Sequence, residues 1–328
     1  MEIRTSTRCL VTMLAGAGLA VAAAAASAQG YPTKSIEFVV HTAPGGGTDL
    51  FARVVTDILQ KEKLLPQPLL VANRTGGGGA VAFNHIKNRR GDPYSVLTVA
   101  TGSLLTNAAR TELGLGLGNY TPLAFFALDP QAVMVVADSK FATFKDLIEA
   151  ARRQPDTIVC AVTSPGGSGR LALYMIEKAT GTKFRFVSFK GGGDAVLAVL
   201  GGHVQFTTEN VSEAFASIEA KQMRVLGMTT ERRLAQMPDI PTLAELGTPV
   251  QVGTGRGFAM PAGVPKEAAA VMETALEKAH KSKAWQEFAH KNVFENRWMN
   301  SAQFAAYLAQ RQQEMQDFLQ SIGLGAKP

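Results

Sequence analysis

Ile36-Glu37-Phe38-Val39-Val40-His41-Thr42-Ala43-Pro44-Gly45-Gly46-Gly47-Thr48-Asp49-Leu50-Phe51 is a strand, a glycine loop and a helix start in sixteen consecutive residues. Ile36 to Val40 is short, apolar and rich in β-branched residues, as a buried strand requires. Thr48 can cap a helix whose apolar residues Leu50, Phe51, Val54, Val55 and Ile58 fall on one face. Three further glycine-rich segments follow the same plan: Gly76 to Gly79, Ser164 to Gly169, and Lys190 to Asp194. Glycine lets backbone N–H groups approach a ligand closely, and a helix N-terminus adds unpaired donors and partial positive charge. Several such termini facing one cleft can hold an anion without a metal or cofactor.

Alternation of strand and helix continues from Tyr31 to Thr230, the pattern of β/α units. Leu69 to Ala72 and Val96 to Ala100 are expected strands, with helices at Val81 to Lys87 and Ser103 to Arg110. A second series starts near Val133 to Val136, with a capping box at Thr143 to Asp146. Strands at Thr157 to Val162, Phe184 to Phe189, Val204 to Thr207 and Arg224 to Met228 then alternate with helices at Ser168 to Ala179, Asp194 to Leu200 and Ser212 to Ala220. Met237 to Thr242, rich in proline, is expected to form a turn and a short helix entry. After Pro261 the pattern becomes helical, at Pro265 to His280, Ala284 to His290 and Ser301 to Ile322.

The N-terminal residues carry an address. Arg4 and Arg8 precede an apolar core from Cys9 to Ala26, and Ala26-Ser27-Ala28 is a small-residue cleavage site. Residues 1–28 are therefore expected to be an export signal, which leaves Cys160 as the one remaining cysteine and rules out an internal disulfide. Without Arg4, Arg8 and Glu2 the formal net charge falls from +6 to +5. The basic residues are scattered and show no aromatic interleaving, which argues against nucleic-acid binding.

Enzymatic readings lack their partners. Gly77, Gly79 and Ala82 fit a loose G-x-G-x-x-A, but no acidic residue ends the next strand near Thr101. Gly166-Gly167-Ser168-Gly169-Arg170 approaches a nucleophile elbow but has arginine where the last glycine belongs. His41, His85, His203, His280 and His290 show no metal-ligand spacing. His41 alone stands beside a glycine loop. No cofactor is implied.

From Tyr31-Pro32-Thr33-Lys34-Ser35-Ile36 into Ala43 to Arg53, the chain resembles the Bug family, the extracytoplasmic solute receptors of tripartite tricarboxylate transporters. Further matches follow in order: Asn73-Arg74-Thr75 with Gly76 to Gly79, Phe189-Lys190-Gly191, Leu200 to Val204, Arg224 to Thr229 with Arg232, Pro238 to Glu245, and Gly257 to Pro265. The resemblance implies an α/β, two-lobe periplasmic binding protein of type II. Each lobe would be a sheet flanked by helices, with the C-terminal helices packed on the first lobe. Lobe 1 would comprise 29–132 and 253–328, and lobe 2 133–252. It further implies a periplasmic monomer that binds a small carboxylate between the lobes and delivers it to an integral membrane permease. A sensory receptor that signals to a membrane kinase, or an exported enzyme on the same fold, are the alternatives.

In such relatives the main chain of the first two loops holds one carboxylate, often through water. That role falls on Ala43, Gly46, Gly47 and Thr48 with Gly77 and Gly78, while Asp49 would hold the loop or cap the helix. Thr101 and Ser103 complete the edge of lobe 1. Lobe 2 would contribute Ser164, Gly167, Ser168, Lys190, Gly191, Gly192 and Asn210, with Lys190 and Asn210 either ligand contacts or plain turn and cap residues. The chain departs from many relatives at Arg256, where an aromatic residue is common. Arg256 is either a bidentate clamp for a distal carboxylate, which favours di- or tricarboxylates, or a solvated charge on the lobe edge. Arg170 is either a second cation near the cleft or a helix-surface charge.

Overall fold

The computed structural model describes residues 30–163 and 165–323. The expected export signal and Ser164 lie outside the described residues. The chain forms two mixed sheets flanked by helices. In the first, β1 (Ile36–Val40) pairs in parallel with β2 (Leu69–Asn73) on one side and β3 (Ser95–Ala100) on the other. Antiparallel strands β10 (Gly253–Pro261), β4 (Tyr120–Pro130) and β11 (Glu295–Met299) extend the sheet beyond β3. In the second, β7 (Arg185–Ser188), β6 (Val159–Val162) and β8 (Phe206–Thr207) are parallel, and β5 (Ala132–Val136) and β9 (Met223–Met228) complete it antiparallel.

The chain passes from the first sheet to the second between β4 and β5, and returns between β9 and β10. Thr229 ties the two crossings together. Its N–H and hydroxyl both donate to Gln131 O, at 2.9 and 2.7 Å, and its carbonyl accepts from Val252 N at 3.1 Å. The proline-rich stretch between the crossings forms turns and no helix. An isolated parallel bridge between Met228 and Thr242 holds these turns against the second sheet.

Helix α1 (Gly47–Lys61) buries Phe51, Val55, Ile58 and Leu59, whereas Leu50, expected on that face, is 50% exposed. The ring of Phe51 stacks on Phe258 at 4.9 Å and meets Phe126 and Trp285 edge-on, an arrangement suited to the quadrupoles of aromatic rings. The remaining helices are α2 (Ala80–Lys87), α3 (Thr101–Ala109), α4 (Phe144–Arg153), α5 (Ser168–Thr180), α6 (Gly192–Leu200), α7 (Val211–Glu219), α8 (Lys266–Lys281), α9 (Lys283–Lys291) and α10 (Ser301–Ser321). Helix α10 packs on the first sheet through Phe304, Leu308, Met315, Phe318 and Leu319. The tip of α10 also reaches α5, where Tyr174 and Phe318 lie 5.2 Å apart.

Three strands of the first sheet, β4, β10 and β11, interrupt the β/α alternation that the sequence pattern leads one to expect. Strand β10 carries Gly253, Gly255 and Gly257, residues that disfavour strands. Tertiary packing explains them. A Cβ at Gly253 would lie 2.6 Å from Leu128 Cγ, at Gly255 2.4 Å from Phe125 Cε2, and at Gly257 2.4 Å from the carbonyl oxygen of Ala124. Side chains of β4 fill the space that side chains at Gly253 and Gly255 would need, and its backbone fills that at Gly257.

Candidate functional site

Both sheets send the carboxyl ends of their parallel strands toward one cleft, where ligands of open α/β sheets bind. A cavity of about 580 Å³ lies there. Loop residues after β1, β2, β6, β7 and β8 line it. Helices α1, α5 and α6 open from extended glycines, Gly46, Gly167 and Gly191, and none of the three has a side-chain cap. Their first N–H groups are therefore left for other acceptors.

Most expected site residues meet at this cavity. From the first sheet come Ala43, Gly46 and Thr48 of the first loop, Gly77 and Gly78 of the second, and Ser103. From the second come Gly167, Ser168, the Lys190-Gly191-Gly192 turn and Asn210, and Arg256 enters from β10. Three expected residues stand behind the wall. Asp49 accepts from Gly45 N at 2.8 Å and Asn73 Nδ2 at 2.8 Å, and pairs with Arg53, so it braces the first loop. Thr101 accepts from Gly255 N at 2.8 Å and lines a neighbouring cavity. Gly47 is covered by Glu213, whose Oε1 accepts from its N–H at 3.3 Å across the cleft. Arg170 pairs with Glu177 and lies over the Phe186 ring, away from the lining.

Arg256 lines the cavity and is 3% exposed, so the solvated alternative does not hold. Its guanidinium donates from Nε and Nη2 to Asp129 Oδ2, at 3.1 and 2.5 Å, and from Nη1 to Thr48 Oγ1 at 3.1 Å. Asp129 is fully buried. Burial pushes its pKa up, against the opposing pull of Arg256 and of the Ser212 hydroxyl.

Two acids in the lining, Glu209 and Glu213, carry no expected role from the sequence. Glu209 is 2% exposed and accepts from Thr163 N at 2.7 Å. Burial, with the nearby Glu213 charge, raises its pKa to about 8. Burial, with Asp129, raises that of Glu213 to about 7, although Arg256 opposes the shift. Gly192 exists as glycine to admit Glu213, since a Cβ there would sit 1.4 Å from Oε2. His41, beside the first loop, accepts or donates at Nε2 to Ser103 Oγ at 3.1 Å. Burial and the Arg256 charge push its pKa down to about 4, so it is neutral near pH 7. The first loop gave a signal for His41. Glu209 and Glu213 gave none, because an acid at a helix start most often faces water.

Hydroxyls and amides join the two sides. Ser168 Oγ lies 2.7 Å from Thr254 Oγ1, Thr254 donates to Asn210 Oδ1 at 3.2 Å, and Asn210 Nδ2 donates to Asp129 O at 2.8 Å. Among the described residues no group of His, Cys, Asp or Glu is arranged to cage a metal, and no helix is long and apolar enough to cross a membrane.

A family model described as "Tripartite tricarboxylate transporter family receptor" matches residues 51–324. The chain belongs to that receptor family. Protein BugT of Bordetella pertussis is 28% identical to this receptor over 289 residues, 84% of this chain and 86% of BugT. Two solved structures share the fold. Rpa4515 of R. palustris with adipate has a TM-score of 0.82 at 23% identity, covering 90% of this receptor and 99% of that chain. MatC of Rhodopseudomonas palustris with bound malate has a TM-score of 0.80 at 20% identity, covering 88% and 99%. Family and fold are those of periplasmic solute-binding receptors.

Proposed function

We propose that this receptor is a periplasmic monomer that captures a small carboxylate between two lobes and delivers it to the membrane permease of a tripartite tricarboxylate transporter, without chemical change to the solute. Lobe 1 is 29–132 with 253–328, and lobe 2 is 133–252, hinged where Thr229 ties the crossings together. Residues 1–28 direct export. The observation that carries the reading is the convergence of glycine loops from both sheets on one cavity of about 580 Å³, a volume suited to a small organic solute. Adipate and malate in two proteins of the same fold support a carboxylate. Arg256 is the reason the sequence favours a di- or tricarboxylate, yet its hydrogen bonds to Asp129 and Thr48 compete with a clamp role.

A thermal-shift screen against mono-, di- and tricarboxylates, amino acids and aromatic acids tests this. A solute at a hundred times its dissociation constant stabilises the chain by about 2.7 kcal/mol. Recovery of the compound unaltered is expected. Turnover of the bound compound, or a shift only with nucleotides or other non-acids, contradicts the reading.

A further inference from the structure

The walls of the cleft bear on the charge of the solute. Its one buried cation, Arg256, is already paired with Asp129. Lys190 is exposed at the rim. Glu209 and Glu213 have backbone N–H donors but, among the described residues, no ion pair. One of these acids also occupies a position where a solute carboxylate was expected: Glu213 takes Gly47 N–H at the α1 terminus, while Glu209 accepts from Thr163 N just after β6. A helix dipole met by the chain's own carboxylate attracts a second anion far less.

A further observation points to a donor that the solute would bring. Glu213 Oε2, in the lining of the cavity, is buried and has no hydrogen-bond partner among the described residues. A buried acceptor left unpaired is costly, so its place in the cavity wall calls for a group with N–H bonds to bring. Donors stand free elsewhere in the same cavity. Gly76 to Gly79 line the cavity and all have positive φ, between 58° and 128°, a backbone path that glycine takes without steric cost and that lets the main chain approach a ligand closely. The N–H groups of Gly77 and Gly78 donate to no acceptor among the described residues.

We propose that the solute is an amino-carboxylate, with its one carboxylate on the Gly77 and Gly78 N–H groups and its protonated amine on Glu209 and Glu213. This rests on the receptor reading above and narrows it. A dicarboxylate would bring its second charge against two acids in the cleft wall, where like charges repel more strongly than in water. An ammonium supplies donors and charge together.

The sign of the pH dependence follows. Glu209 and Glu213 face one another, Asp129 and Arg256, with His41 neutral and Lys190 at the rim. An ammonium replaces protons held by the two acids, so affinity rises between pH 6 and 8. A second carboxylate would instead need those protons, and its affinity would fall over that range.

The test is calorimetric titration with β-alanine, 4-aminobutyrate and 5-aminovalerate against succinate, glutarate and adipate. Wild type, Glu213→Gln and Glu209→Gln are compared, each checked for folding by melting. The proposal expects an amino acid of the series to bind, to bind more tightly at pH 8 than at pH 6, and to lose affinity about tenfold or more in either variant, the worth of one charge-assisted hydrogen bond. Should one variant fail to fold, the other and the wild-type pH profile decide. Wild-type binding of a diacid that is at least as tight as that of every amino acid in the series, or amino-acid binding indifferent to both substitutions, overturns the amine assignment and leaves the carboxylate receptor standing. Silence toward both series overturns the amine assignment, and the receptor reading is then decided by the wider thermal-shift screen.

Discussion

The first and second glycine loops are near twins in composition and opposites in what their N–H groups meet. In the first, Gly45 donates to Asp49, Gly46 to Ala43 O, and Gly47 to Glu213. In the second, Gly77 and Gly78 keep their N–H groups free among the described residues, while Asn107 Nδ2 pins the loop through Gly78 O at 2.9 Å. Glycine content therefore shows that backbone can approach something, and the surrounding acids decide whether that is a solute or the protein itself.

The strongest way to break the contrast is to unbalance the buried charges behind the first loop. Arg256→Gln leaves Asp129 buried without its cation and is expected to cost about 3–5 kcal/mol, read by denaturant titration. A loss under about 1 kcal/mol would mean that water reaches Asp129.

Alanine substitution compares the loops directly. Gly79 has φ +102, and a Cβ there would lie 2.6 Å from Phe83 Cε2, so Gly79→Ala should cost about 2–3 kcal/mol. Gly45 has φ +83 but open space around it, and Gly45→Ala should cost about 1 kcal/mol. Equal losses by thermal melting would show that the second loop is no more tightly built than the first.

Protonation sharpens the comparison further. Glu209 and Glu213 titrate at about 8 and about 7 in the folded chain, above the 4.5 of an unburied glutamate. Between those values the folded chain binds more protons than the unfolded one, so solute-free stability falls as pH rises from about 5 toward 8. The slope is on the order of 1 kcal/mol per pH unit, and Glu213→Gln should flatten it. A stability that is level or rises over this range would mean both acids are ionised in the fold. The smallest effect is expected at the contact between the two sides: Thr254→Val removes hydrogen bonds to Ser168 and Asn210 and should cost about 0.5–1.5 kcal/mol.

Much of this architecture was legible. Strand Ile36–Val40 and the helices through Arg153 and from Ser301 follow from apolar periodicity and caps that act locally. Strand β10 was hidden because its glycines answer to Phe125 and Leu128, residues more than a hundred positions away. The same distance hid part of the site. Loop glycines and Ser168 announced themselves by type, but Glu213 meets Gly47 only after the chain has crossed between sheets. Arg256 stood out by sequence, whereas its partner Asp129 did not, since the burial that defines the pair belongs to the fold.

The central claim is that the solute sits in the cleft between the two sheets. Gly191 lines that cavity with extended backbone, and nothing lies within 4 Å of a Cβ built on it, so Gly191→Trp fills the cleft without straining the chain. Calorimetric titration of wild type and Gly191→Trp with the compound that gives the largest thermal shift tests the claim most directly. The account predicts binding to the wild type and none to a variant that melts normally. Undiminished binding to Gly191→Trp would place the solute elsewhere and contradict it.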